Sequence, residues 1–317
     1  PNPKLTRFFA PPRNRLLADV KSIGKSYVGR LAETCDAWLS TLPDEEPIGV
    51  LFSGGVDSAS VVAVLSFLLR RRGQSLARLK AFTLAVGGGE ASDQRQAAEC
   101  LKAMNLEMLL EVIHVPSSAI RWREAIAVIE DYKPLDVQSA AMGLALLSEI
   151  RKIYPDWIHL IDGDGGDENL KDYPIEDNPE LTIRSVLGNR MLYQEGWGVD
   201  AVKHSLTYSG GQSRGHVRTS APATKLGFRG FSPYATPEVI EIAESVPFVA
   251  LTDWDHSKLY DLKGQIVSSG VRDVCGLDLP VFPKNRFQRG AIDEEGFRDV
   301  FPDGDDEYRQ AFADLHR

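Results

Sequence analysis

Two Gly-rich stretches carry residue types that do chemistry at close quarters. Ser53-Gly54-Gly55-Val56-Asp57-Ser58 follows the apolar run Ile48-Gly49-Val50-Leu51-Phe52 and opens a Val-, Leu- and Ala-rich segment from Asp57 to Arg72. Two glycines let a backbone turn tightly and approach a ligand closely. A helix starting there offers unpaired N–H groups and a partial positive charge, so the unit reads as an anion site. Ser53 and Ser58 add hydroxyl donors, and Asp57 reaches a Mg2+ carried by bound phosphates. The Gly-x4-Gly-Lys-Ser/Thr spacing of a Walker A loop is absent. The second stretch, Asp162-Gly163-Asp164-Gly165-Gly166-Asp167-Glu168, ends another apolar run, Trp157 to Ile161. Carboxylates interleaved with glycines at a strand end suit a cation facing those phosphates.

Both stretches need elements that bring them to one place. Leu16, Val20, Ile23, Tyr27, Leu31 and Trp38 recur at spacings of mostly three and four, which predicts an amphipathic helix over 13–40. Pro43 and Pro47 end it. Strands are then expected at Ile48 to Phe52, Leu79 to Val86, Leu109 to Val115 and Trp157 to Ile161. Helices are expected at Asp57 to Arg72, Ala91 to Met104, Ala119 to Glu130 and Val137 to Ile153. Apolar strands alternating with helices predict an α/β fold, a doubly wound parallel sheet, which binds ligands beyond the carboxyl ends of its strands. Both Gly-rich stretches fall at that edge. Past about residue 175 the alternation stops, and helical patterns at Pro237 to Ser245 and Ser257 to Ser269 predict a mainly helical C-terminal lobe. The expected organisation is an N-terminal helical segment (1–45), an α/β core that carries both Gly-rich stretches (46–175) and a mainly helical lobe (176–317).

Composition narrows the class. Of 317 residues, 43% are hydrophobic and 26% charged, which excludes wholesale disorder. No apolar run is long enough to span a membrane, and no signal-peptide core follows Pro1. Asp and Glu outnumber Lys and Arg 45 to 36, a net charge of -9 that argues against a general nucleic-acid binder. Cys35, Cys100 and Cys275 are widely spaced and read as free thiols of a cytoplasmic protein. The six histidines show no metal-ligand spacing, and His159 inside a strand reads as a core residue. Gly211-Gln212-Ser213-Arg214-Gly215 lacks the preceding strand of a nucleophile elbow. The run from Tyr208 to Arg218 reads as a Gly/Ser loop able to lie over a site.

The segment Ser-Gly-Gly-x-Asp-Ser after the first strand resembles the PP-loop of the N-type ATP pyrophosphatases, which split ATP between its α- and β-phosphates and adenylate a substrate. The superfamily includes asparagine synthetases, NAD synthetase, GMP synthetase and tRNA-modifying enzymes. The Asp162 to Glu168 segment resembles the Gly-Glu-Gly-Ala-Asp-Glu signature of asparagine synthetases and the related β-lactam and carbapenam synthetases. That resemblance, covering roughly residues 15–290, implies that Asp57 and Asp167 bind Mg2+. It implies that Ser53, Gly54, Gly55, Asp57, Ser58 and Gly163 hold ATP or its pyrophosphate, and that the backbone of Thr83 and Leu84 reads adenine. Asp164 stands where the family often has Glu, one methylene shorter, and becomes the candidate for handling the proton of an attacking amine. Asn169 to Tyr173 replaces the expected Gly-Gly-Tyr.

An enzyme that expels pyrophosphate needs fixed cations on the developing charge. Lys258 to Gly264 and Pro283 to Gly290 are similar to the family's two C-terminal lysine regions. Lys263 is then the lysine of the adenylation transition state, with Lys258 the alternative under a small shift of alignment, and Lys284 a pyrophosphate contact. Asp93 is expected either to help close the nucleotide site or to cap its helix.

The implied activity is an AMP-forming carbon–nitrogen ligase that adenylates a carboxylate and forms an amide. With the PP-loop reached by residue 53 and no glutaminase module before it, a synthetase-only protein is expected. Three nitrogen sources stay open: free ammonia, ammonia from a separate glutaminase, or another amine. The alternatives are an ammonia-dependent NAD-synthetase-like enzyme, which leaves the Asp162 to Glu168 segment unexplained, and a catalytically silent nucleotide-binding partner protein. Turnover of ATP to AMP separates the last from the others.

Overall fold

The computed structural model describes residues 11–87, 92–172, 216–283 and 287–315. Five strands, β1 (Ile48–Leu51), β2 (Leu79–Val86), β3 (Leu110–Val115), β4 (His159–Ile161) and β5 (Arg229–Phe231), form one parallel sheet in the order β3-β2-β1-β4-β5. Successive strand residues enter two different cores: Ala81 and Ile161 pack on one side, Phe82 and Leu160 on the other. That period-two split buries both faces, which is why the strands read as continuous apolar runs. The fold is α/β and doubly wound.

Helices α1 (Val20–Leu39), α2 (Val56–Arg71) and α3 (Ser92–Ala103) cover the first face, and α4 (Trp122–Ile129) and α5 (Pro134–Ile153) the second. After β4 come the short α6 (Gly166–Asn169), then α7 (Ala221–Lys225) before β5, α8 (Pro237–Glu244), α9 (Phe248–Thr252) and the long α10 (Leu259–Cys275). Three more helices follow: α11 (Phe287–Gly290), α12 (Glu294–Val300) and α13 (Asp305–Asp314). Helix α1 and helix α10 cross with their backbones nearly touching, since a Cβ on Gly24 would lie 2.4 Å from the Ile266 carbonyl oxygen. This crossing fixes α10, and with it Lys263, against the first core.

Three expectations need correction. The first helix begins at Val20 rather than Arg13, because the Asp19 carboxylate accepts from the Ser22 N–H at 3.0 Å and caps it there. The strand alternation does not end at β4: Arg229–Phe231 returns to the sheet as an edge strand, too short for any periodicity to show. Arg218, read as the end of a Gly/Ser loop, lies in a π-type turn, His216–Ser220, packed against α5, while residues 208–215 lie outside the described residues.

The order of strands reverses between β1 and β4, and in such sheets the ligand crevice opens at the carboxyl ends beside that reversal. The two Gly-rich stretches leave the sheet at those two ends. Cys35, Cys100 and Cys275 are free thiols, and burial pushes Cys100 and Cys275 up to about 12. Among the described residues no helix is long and apolar enough to cross a membrane.

Candidate active site

The loop after β1 turns through Gly54, whose φ of +75° is open to glycine and strained for other residues. A Cβ there would also strike the backbone of α3, 2.7 Å from the Ala97 N–H nitrogen, so α3 lies directly over the loop. Gln96 on α3 donates to the Ser53 carbonyl at 3.4 Å. Inside the loop, the Gly55 N–H donates to Ser53 Oγ at 3.3 Å and Ser58 Oγ donates to the Gly55 carbonyl at 3.2 Å. Gly55 has no side chain with which to cap α2, and the start of this 16-residue helix presents backbone N–H groups and the positive end of its dipole. Ser53, Gly54, Gly55, Asp57 and Ser58 thus sit together around an anion-accepting helix start.

The loop after β4 approaches from the other side of the reversal. A Cβ on Gly163 would lie 2.7 Å from the Ser58 amide nitrogen, and one on Gly166 2.3 Å from Asp57 Oδ1. A side chain at Gly163 would strike the backbone of the first loop, and one at Gly166 would displace the Asp57 side chain. Their contact brings Asp167, on the first turn of α6, beside Asp57.

Between these carboxylates stands Lys263 of α10, 2% exposed. Its Nζ donates to Asp57 Oδ2 at 2.6 Å and to Asp167 Oδ1, with Asp172 Oδ2 at 3.6 Å. Burial alone lowers the lysine's pKa, but Asp167, Asp57 and Asp172 together outweigh it and hold the ammonium well above its ordinary value. Lys258, the alternative, is half exposed and points to the Thr252 carbonyl and Asp255 instead. Lys284 lies outside the described residues.

A buried polar scaffold supports this centre. Tyr27 and Tyr234 stack at 5.7 Å, and Asn169 donates to the Tyr27 hydroxyl at 3.1 Å and the Tyr234 carbonyl at 2.9 Å. The Tyr234 hydroxyl bonds Ser60, one turn beyond Asp57 on α2. Burial, and then the Asp57 charge, push the Tyr234 phenol up, so it stays a neutral partner.

Asp164 faces a second group of charges. Thr219 Oγ1 donates to Asp164 Oδ2 at 2.6 Å. Arg218 lies near Asp164, Asp136 and Glu168; burial lowers its pKa, and these carboxylates more than restore it. Its nearest ion-pair contact among the described residues is Asp136 Oδ1 on α5, at 3.8 Å. Asp162, 5% exposed, is raised well above the usual carboxylate range by burial and by the Asp164 charge, against opposing bonds from Ser232 and the Asp164 N–H.

On β2, Thr83 spends its hydroxyl on the Phe52 carbonyl at 2.8 Å. Phe82 accepts from the Phe52 N–H and the Val86 N–H donates to Ala291, so by strand alternation the Leu84 backbone groups point the same way, past the end of β1. Asp93 is the second residue of α3 rather than its cap. It is 3% exposed against Gly290, and burial pushes it up to about 7. His159 packs edge-on to Trp38 at 6.2 Å, a core position.

Sequence reasoning missed Asp172, Arg218, Thr219 and Asp136. Asp172 carried a signal, five residues beyond Asp167 where a Gly-Gly-Tyr was expected. The other three had none, since their approach depends on α5 and the turn before α7 packing together.

Among the described residues no group of three or more Asp, Glu, His or Cys forms a metal cage. Mg2+ does not need one: it is held by one or two carboxylates together with substrate phosphates. Asp57 and Asp167, converging on one point beside an anion-accepting loop, fit that donor set. No curated protein matches the chain. Residues 36–219, from the end of α1 to the turn carrying Arg218, match the family model for asparagine synthase, and the chain belongs to that family of ATP-using carbon–nitrogen ligases.

Proposed function

We propose that the protein is an AMP-forming amide synthetase that adenylates a small-molecule carboxylate and passes the acyl group to ammonia or another amine. The observation that carries this reading is the convergence of the PP-loop, Asp57, Asp167 and Lys263 on one point at the sheet's reversal. In this reading the loop N–H groups of α2 bind the pyrophosphate portion of ATP, and the Leu84 backbone reads the adenine edge. Bound Mg2+, held by Asp57 and Asp167, would supply charge neutralisation to the phosphates. A substrate carboxylate oxygen attacks the α-phosphorus, the bond to the bridging oxygen breaks, and pyrophosphate leaves with that electron pair. Lys263 stabilises the charge that develops on it.

The mixed anhydride is then already activated. The amine nitrogen attacks the acyl carbon, the bond to the AMP oxygen breaks, and the nitrogen gives up its proton to Asp164. Thr219 fixes one oxygen of that carboxylate and Arg218 holds charge beside it. The reading is tested by pyrophosphate and AMP formation from Mg-ATP across a panel of amino and keto acids, with and without ammonia. Acid-dependent AMP release, abolished by Asp57→Asn with the fold intact, is the expected result. ADP as product, or turnover that survives Asp57→Asn, overturns it.

A further inference from the structure

Lys263 makes two contacts that a metal-bound site does not allow it to keep. Its Nζ bonds Asp57 Oδ2 at 2.6 Å and Asp167 Oδ1, the two carboxylates assigned above to Mg2+. An ammonium and a divalent cation compete for the same two carboxylates and repel each other, so the two do not sit together at that point. The lysine does not wait outside in solvent either: it is 2% exposed, while Asp57 is 18% and Asp167 41% exposed. Of the two carboxylates Asp167 is the more exposed, so a metal that reaches the pair there displaces a buried cation.

A third carboxylate lies beside the lysine. Asp172 Oδ2 lies 3.6 Å from Nζ, outside hydrogen-bond distance but within a small rotation of the lysine's end. Asp172 is itself firmly placed. Its N–H donates to the Asp167 carbonyl at 2.9 Å. The residue before it, Lys171, holds a left-handed φ of +59° and is pinned by a buried bond to Glu244 at 2.8 Å. Glu244 in turn pairs with Arg13 at 2.9 Å. The strap carrying Asp172 is thus held at Lys171 by a bond that involves neither metal-binding residue.

We propose that Lys263 is the placeholder for the metal in the nucleotide-free protein, and that Asp172 is the positioning residue that takes its ammonium when metal and triphosphate enter together. This rests on the reading of Asp57 and Asp167 as the metal pair. Free metal then competes with a built-in cation and binds weakly. The triphosphate reverses the balance, because its oxygens supply ligands to the metal and a new anionic partner to Lys263. Asp172 keeps the lysine beside the phosphates instead of letting it swing away.

The experiment measures Mn2+ binding to the full chain by electron paramagnetic resonance, without nucleotide. Lys263→Met is expected to bind Mn2+ at least tenfold more tightly than the unaltered protein, and adding Asp57→Asn to that variant should remove the gain. Equal affinities with and without Lys263 overturn the exchange while leaving the metal pair standing. A gain that persists with Asp57→Asn overturns the metal pair itself. Because Lys263→Met leaves carboxylates buried together and can misfold, the unaltered protein supplies a second reading. Its Mn2+ affinity should rise at least tenfold with α,β-methylene-ATP, beyond what the analogue binds in buffer; no rise overturns the proposal. Asp172→Asn should reduce that rise about tenfold and Asp172→Glu should restore it. An unchanged rise in Asp172→Asn removes Asp172 from the exchange.

Discussion

Gly166→Ala tests the site with a single methyl group. The added Cβ would lie 2.3 Å from Asp57 Oδ1 and 2.4 Å from its Cγ. Carbon and oxygen rest at roughly 3.3 Å or more, so the Asp57 carboxylate must retreat by about 1 Å. That retreat breaks its 2.6 Å bond to Lys263 and separates it from Asp167. A displacement of about 1 Å at a reacting centre lowers the rate about 100-fold, equivalent to about 2.7 kcal/mol of transition-state stabilisation. The fold should survive, because what moves is the end of a side chain and Gly166 sits at ordinary negative φ at the start of α6. Pyrophosphate release at saturating Mg-ATP, paired with urea unfolding, separates the two effects. The expected result is a kcat near 1% of the parent with stability within about 1 kcal/mol. A kcat within twofold of the parent would refute the placement of Asp57, and a loss of fold would refute the claim that only its carboxylate is displaced.

Other perturbations probe the frame around the centre. Glu244→Gln removes the charge from one side of a pair whose members are each 1% exposed, and should lower unfolding free energy by about 3–5 kcal/mol in urea melts; a change under 1 kcal/mol would contradict the buried pair. Gly29→Ala lies inside α1 with nothing within 4 Å of the new methyl, so it should stabilise by about 0.5–1 kcal/mol with activity unchanged. Asp93 supplies the pH dependence. Unfolded, its carboxyl ionises near 3.8, and in the fold it keeps its proton to about 7. Between those values the folded state binds more protons, so this residue's contribution falls as pH rises and levels off above 7. Asp93→Asn should therefore gain stability relative to the parent by up to about 4 kcal/mol from pH 4 to pH 8. Stability curves that run parallel across that range would rule out the buried carboxyl.

The sheet was legible in the sequence because its strands are buried on both faces. Ile48, Val50, Ala81, Phe82, Leu160 and Ile161 leave no polar alternation, and helices of ordinary length separate them. The β5 edge strand was not legible: Arg229–Phe231 has two exposed residues and no pattern, and its place beside β4 is a long-range pairing that no local signal announces. The start of α1 failed for a different reason. Leu16 continues the apolar spacing, but the Asp19 cap and the bond from the Leu16 N–H to Ser245 divert the chain before Val20.

The site divides along the same physical line. Ser53 to Ser58 and Asp162 to Glu168 could be read because each motif is local, with glycines whose absent side chains let one loop rest on the other. Lys263 is subtler. It and Lys258 look equivalent as charges, yet Leu259, Leu262, Ile266 and Val267 form the buried stripe of α10 and Lys263 falls inside it. A lysine inside an apolar stripe is a lysine that must meet carboxylates, since burial without them is too unfavourable to persist. The stripe names the lysine, but not its partners. Those come from α2, α6 and the strap after it, at positions 57, 167 and 172, and only the reversal of strand order between β1 and β4 brings them to one point. The chemistry of each residue is thus written locally, while the exchange between lysine and metal is a property of the topology.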